Sequence, residues 1–119
     1  MTTTTMTRTS GTAVIEVSAL ADGVVVRLAG AFGTEDAELL RGALLRPRPA
    51  ACRDILVDAG AVTELDDSAL AVLVAAPDWA DQTGGHLFFT RLSEPIRSAA
   101  AELGIMRLMP LLAPPGQRV

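Results

Sequence analysis

The stretch DILVDAGAVTELDDSAL, residues 54–70, decides the fold. Its first five residues are a short apolar run with acidic ends, which reads as a buried strand, Asp54 to Asp58. Ala59 to Leu65 then reads as a loop. Asp66 stands where an N-cap belongs, and Leu70, Leu73 and Val74 recur on one face of the helix that follows. Pro77 is expected to kink or shorten this helix, because it lacks an N–H and crowds the preceding turn.

The same alternation continues outward from this strand–loop–helix unit. Toward the N-terminus, Ala13 to Val17 alternates weakly. Ala21-Asp22-Gly23 followed by Val24-Val25-Val26-Arg27-Leu28 is a hairpin signal with a β-branched run after the turn. Gly30 is expected to end that strand, and Thr34 to cap a first helix with Glu35, Asp36 and Glu38 at the favourable end of its dipole. Ala37, Leu40 and Leu44 hold helical spacing until Pro47 and Pro49 stop it. Toward the C-terminus, Gly84-Gly85 breaks the chain and His86 to Thr90 reads as a strand. Ser93 is placed to cap a third helix with Pro95 in its first turn. Ile96, Ala99, Ala100 and Leu103 form the inner face of that helix, Gly104 fits its C′ position, and Ile105 to Met109 reads as a short edge strand. Strands alternating with helices after an opening hairpin predict an α/β domain: a mixed, mostly parallel sheet packed with three to four helices. The domain is expected over residues 13–112. Residues 1–12, Thr-rich with nothing to bury, are expected to be disordered, and 113–119 a flexible tail.

Composition excludes several function classes. The 119 residues are about one domain's worth, half of them apolar, so a single core of Val, Leu, Ile and Ala is expected. Phe32, Trp79, Phe88 and Phe89 are the only aromatics, too few for nucleic-acid stacking platforms. The net charge is −4, there is no Lys and the arginines are scattered, which argues against phosphate-backbone binding. Cys52 and His86 are the sole cysteine and histidine, so neither a disulfide nor a thiolate zinc site can be assembled. A surface place is expected for His86, and a small filler role for Cys52. Trp79 is expected to cover the core edge, the other reading being an exposed anchor for a partner. Asp58, Asp66 and Asp67 lack the Lys, glycine-rich loop or second ligand cluster that a metal or phosphoryl site needs. With no credible nucleophile–base pair, no enzyme activity, cofactor or small-molecule substrate is expected. The longest apolar run is far short of the roughly 20 residues of a membrane span, and no secretion signal precedes it. The chain is expected to be cytoplasmic, without membrane insertion.

Four stretches, in this order, carry a family resemblance. They are Val24-Val25-Val26-Arg27-Leu28-Ala29-Gly30, then Ile55-Leu56-Val57-Asp58 leading to Leu65-Asp66-Asp67-Ser68-Ala69-Leu70, then Gly84-Gly85-His86-Leu87-Phe88-Phe89, and finally Leu103-Gly104-Ile105. From about Val14 to Leu112 the chain resembles the STAS domains, in the branch of the anti-sigma factor antagonists (anti-anti-sigma factors). The resemblance implies a regulator of transcription by partner switching. Such a protein binds a serine-kinase anti-sigma factor and frees its sigma factor; the kinase phosphorylates one hydroxyl, here Ser68, and a PP2C-type phosphatase reverses it. On this resemblance the partner-binding residues are Phe32, Gly33, Thr34, Asp66, Asp67, Ser68, Ala69 and Val72. A phosphate on Ser68 would add about −1.5 to −2 charge beside Asp66 and Asp67, a local change that a docked partner would reject while the fold stays intact. Asp66-Asp67-Ser68 would also serve as an ordinary helix cap and no more.

The chain departs from the family pattern at Asp67, in place of a first Ser or Thr, and at Ala69, in place of Gly. It also carries Gly30-Ala31-Phe32-Gly33 where relatives often have Gly-Glu-aliphatic-Asp, so two acidic contacts are missing. Phe32 would then mark a more apolar contact. These departures favour a second reading: a non-phosphorylated STAS subunit of a larger assembly, such as a lipid ABC transporter or a signalling complex.

Overall fold

A computed structural model describes residues 5–10, 12–19, 23–45 and 54–112, with residues 5–10 described by their backbone alone. The elements follow as β1 (Thr5–Ser10), β2 (Ala13–Ala19), β3 (Gly23–Phe32), α1 (Asp36–Leu45), β4 (Asp54–Leu65), α2 (Asp67–Gln82), β5 (Leu87–Leu92) and α3 (Glu94–Leu103), closed by a 3-10 turn at Met106–Leu108. The strands lie side by side in chain order. β1–β2 and β2–β3 are antiparallel, and β3–β4 and β4–β5 are parallel. The opening hairpin, the mixed sheet and the three helices match the expected α/β class. The tip of the β2–β3 hairpin, Pro47, Pro49, Cys52 and residues 113–119 lie outside the described residues.

The period-2 pattern explains which face is covered. Ala13 and Ile15 of β2, Val24, Val26 and Leu28 of β3, Ile55, Val57 and Ala59 of β4, and Leu87, Phe89 and Leu92 of β5 are buried. They form one core with Leu40 and Leu44 of α1, Leu70, Leu73 and Ala76 of α2, and Ile96 and Ala100 of α3. Each fully buried Leu, Ile or Phe contributes about 1.5–3 kcal/mol of transfer free energy. The other face carries a charge ladder in direct register, Glu16 opposite Arg27, Arg27 opposite Asp58 and Asp58 opposite Arg91. Opposite charges on neighbouring strands support that pairing.

Several sequence expectations are corrected by the structure. Thr5–Ser10, expected to be disordered, forms the edge strand β1 paired with β2, because an edge strand needs backbone hydrogen bonds on one side and no burial of its own. β3 does not stop at Gly30 but runs to Phe32, with Gly30 at φ +90° beside a register shift. The expected loop 59–65 is the second half of β4. Its small and polar residues give no apolar alternation, yet the ladder to β3 pairs Ala61, Val62, Glu64 and Leu65 with Ala29, Gly30, Ala31 and Phe32. α2 passes through Pro77 and continues to Gln82, held by buried Leu73 and Ala76 before the proline and Ala80 after it. Ile105 to Met109 is not a strand. The 3-10 turn occupies it, and pairing with β5 comes later, where Leu111 bridges Phe89 in parallel.

Candidate functional site

Strands β3 and β4 are parallel neighbours, so their C-terminal ends open on the same edge of the sheet, the usual place for sites in such folds. From Phe32 the chain turns into α1, and from Leu65 it turns into α2. Two hydrogen bonds tie these turns together. The Asp66 backbone N–H donates to the Phe32 carbonyl at 2.8 Å, and the Thr34 hydroxyl donates to Asp66 Oδ2 at 3.1 Å.

Asp66 is the N-cap of α2, as the sequence predicts. Its backbone is extended, its carbonyl accepts from the Leu70 N–H at 2.9 Å, and its Oδ2 accepts from the Ser68 N–H at 3.0 Å. The Asp66 carboxyl is held below the usual carboxylate range by the Ser68 N–H first, then by the hydroxyls of Ser68 and Thr34, against a small opposing effect of burial. Two donors, the Ser68 N–H and the Thr34 hydroxyl, thus converge on one carboxylate oxygen. Ser68 sits in the first turn, half-buried, with Asp67 beside it and exposed.

Thr34 does not cap α1. The Asp36 and Ala37 N–H groups are taken by the carbonyls of Gly33 and Thr34, and Asp36 Oδ2 accepts from the Gly33 N–H at 2.8 Å, which closes the turn from the helix side. Asp36 is itself buried, with no partner for Oδ1 among the described residues. Sequence reading missed this turn because Thr34 and Asp36 are both residue types that cap helices; only the parallel pairing of β3 with β4, which sets Phe32 opposite Leu65, shows which of them faces the neighbouring turn. Ser93 occupies the N-cap position of α3 without making a side-chain cap bond, its place held by Pro95 and by its N–H to the Ala59 carbonyl. Gly104 closes α3 in the left-handed conformation, as expected.

Of the eight residues expected to meet a partner, five lie together at this edge: Gly33, Thr34, Asp66, Asp67 and Ser68. The other three face inward. Phe32 is 2% exposed, Ala69 0% and Val72 9%, so their side chains belong to the core and an apolar contact by Phe32 is ruled out in this conformation. Phe32 ends the buried alternation of β3, and Ala69 and Val72 lie three residues apart on α2, the spacing of one face. Asp58 does not join Ser68 either. It lies mid-strand in β4 and binds Arg91 in two places, 2.9 and 3.2 Å. Burial works against its charge, but the Arg91 hydrogen bonds, the Gly60 N–H and the charges of Arg91 and Arg27 together lower its pKa. His86 is exposed, as expected. Trp79 packs against the core as a partly buried cover, with Arg41 at 5.8 Å from its ring. No described helix is long and apolar enough to cross a membrane.

The sheet order, the cap at Asp66 and the hydroxyl that follows define a STAS domain, and comparison with known families agrees. The family model described as "Mlab, STAS domain" matches residues 15–112, and the chain belongs to that family. Among solved structures it is similar to the anti-sigma factor antagonist SpoIIAA in its unphosphorylated form, with a TM-score of 0.63 and 14% identity over 95% of this chain and 90% of that one. It is also similar to the Bacillus cell fate determinant SpoIIAA in the phosphorylated form, with a TM-score of 0.60 and 14% identity over 95% and 93%. At this identity the likeness is one of fold. No curated protein matches the chain.

Proposed function

We propose that this domain is an anti-sigma factor antagonist that acts in the cytoplasm through protein–protein contact. It binds a serine-kinase anti-sigma factor through Gly33, Thr34, Asp66, Asp67 and Ser68, and phosphorylation of Ser68 switches it off. The observation that carries this reading is the setting of Ser68. Its side chain lies in the first turn of α2, half-buried, and its backbone N–H bonds a carboxylate that also ties the β3–α1 turn. A phosphoryl group replacing the hydroxyl hydrogen sets its negative charge beside the carboxylates of Asp66 and Asp67, at the start of the helix. The helix N-terminus favours an anion there, so the fold tolerates the group while a partner docked on an acidic edge is repelled. A PP2C-type phosphatase would restore the unmodified state.

The test is incubation with a serine-kinase anti-sigma factor and ATP, read by intact mass. One added phosphate, lost in Ser68→Ala while that variant still binds the kinase, is the expected result; a chain that gains no phosphate ends the reading. A second reading, a STAS subunit that is never phosphorylated within a larger assembly such as a lipid ABC transporter, is favoured by Asp67, by the missing acidic residues at Ala31-Phe32-Gly33, and by the description of the matching family model. Co-purification with an ATPase subunit, with Ser68→Ala silent, would select it.

A further inference from the structure

Asp66 joins the start of α2 to the β3–α1 turn twice, by its backbone N–H to the Phe32 carbonyl and by its Oδ2, which accepts from the Thr34 hydroxyl. The same Oδ2 accepts from the Ser68 N–H at 3.0 Å. Whatever takes the Ser68 N–H from this oxygen therefore also disturbs the acceptor of Thr34. The turn itself is closed independently of Asp66. The Asp36 N–H donates to the Gly33 carbonyl at 3.0 Å, and Asp36 Oδ2 accepts from the Gly33 N–H at 2.8 Å. Loss of the Thr34 bond would untie the turn from α2 without unmaking it, and the backbone bond from Asp66 to Phe32 would remain.

We propose that Asp66 relays the state of Ser68 to the β3–α1 turn: a phosphate on Ser68 drives the Asp66 carboxylate off the helix start, and Thr34 loses its acceptor. The relay rests on the reading of Ser68 as the phosphorylated residue. A phosphate brings about −1.5 to −2 charge and three acceptor oxygens to a position two residues from Asp66. Asp66 is ionised at neutral pH, its carboxyl held below the usual range by the Ser68 N–H first and then by the hydroxyls of Ser68 and Thr34. Two anions then compete for one helix N-terminus, and the phosphate, with the larger charge, takes the Ser68 N–H. Thr34 is exposed, so its freed hydroxyl turns to water. The surface that Thr34 and Ser68 present as one piece in the unmodified chain is thereby split, and phosphorylation acts on a docked partner at both segments.

The test is amide hydrogen exchange by NMR on the full chain with phosphoserine installed at position 68 during translation, so that no kinase is needed. The Asp66 amide, which bridges to Phe32, should exchange about three- to tenfold faster with phosphate than without, the range expected for loss of one hydrogen bond. Thr34→Val without phosphate should show the same acceleration, Thr34→Ser should not, and phosphate should add nothing further in Thr34→Val. In Asp66→Asn, whose side chain still accepts but carries no charge, the effect of phosphate should vanish. Equal exchange with and without phosphate overturns the relay. So does an acceleration just as large in Thr34→Val or in Asp66→Asn, or a phosphoserine chain whose spectrum shows loss of the fold, since the change is then not confined to this tie. The two readings fail separately: a kinase that never labels Ser68 ends the proposed function, whereas a labelled chain that keeps its Thr34 bond ends the relay alone.

Discussion

The Thr34 hydroxyl reaches Asp66 Oδ2 at 3.1 Å across 32 residues of sequence, and so one carboxylate caps α2 and latches the β3–α1 turn together. Because the cap bond to the Ser68 N–H is local and the Thr34 bond spans 32 residues, the two contacts should separate by mutation. Asp66→Ala should lower the thermal midpoint and raise hydrogen exchange at the Ser68 amide, with Asp66→Asn keeping most of the protection. Thr34→Ala should leave the Ser68 amide protected, because Asp66 still accepts its bond. Amide exchange followed by NMR distinguishes the two.

Phe32 and Thr34 are two residues apart and should behave in opposite ways. Phe32→Ala opens a cavity at a site that is 2% exposed and should cost about 3–5 kcal/mol in urea unfolding. Thr34→Ala should stay close to the wild-type midpoint, and any effect it has should appear in partner binding. Equal effects of the two variants on stability would contradict the burial described here.

Among the described strand residues Gly30 alone has a positive φ, +90°, where β3 shifts register against β4. A Cβ there would overlap the Thr12 carbonyl oxygen. Gly30→Ala should therefore cost about 2 kcal/mol or more. Gly42→Ala on α1, where a Cβ meets nothing, should be stabilising by several tenths of a kcal/mol, about what helix propensity gives. Paired urea titrations check both.

Asp58 should make stability depend on pH in a definite direction. Its folded pKa is lowered by Arg91, Gly60 and Arg27 despite burial, so its ionised form stabilises the fold above the unfolded value near ~3.9, and that contribution is lost as pH falls through the folded value. The gap in urea midpoint between wild type and Asp58→Asn should be largest near neutral pH and narrow below about pH 4. A constant gap at all pH values would show that the Asp58–Arg91 pair adds nothing through charge.

Much of this fold is local and was therefore legible along the chain. The β-branched run Val24-Val25-Val26 in β3, the helical spacing of Leu40 and Leu44, the cap at Asp66 and the left-handed Gly104 are each written within a few residues, where propensity, capping and period-2 or 3.6 patterning act. The failures share a cause. β1 and the second half of β4 are strands by virtue of the neighbour they pair with, and their Thr-rich or Ala/Gly-rich composition gives no periodic signal. Pro77 breaks a helix in isolation, but α2 buries one face on both sides of it, and tertiary packing outweighs one lost hydrogen bond.

The site divides in the same way. By itself the sequence determined that a hydroxyl, Ser68, follows an acidic cap at the start of a helix, because a cap is a contact between residues two apart. Only the tertiary structure decided which of its expected neighbours share that surface. Thr34 arrives there through the parallel pairing of β3 with β4, while Phe32, Ala69 and Val72 turn into the core, since facing depends on what lies across the sheet and not on the residue's type.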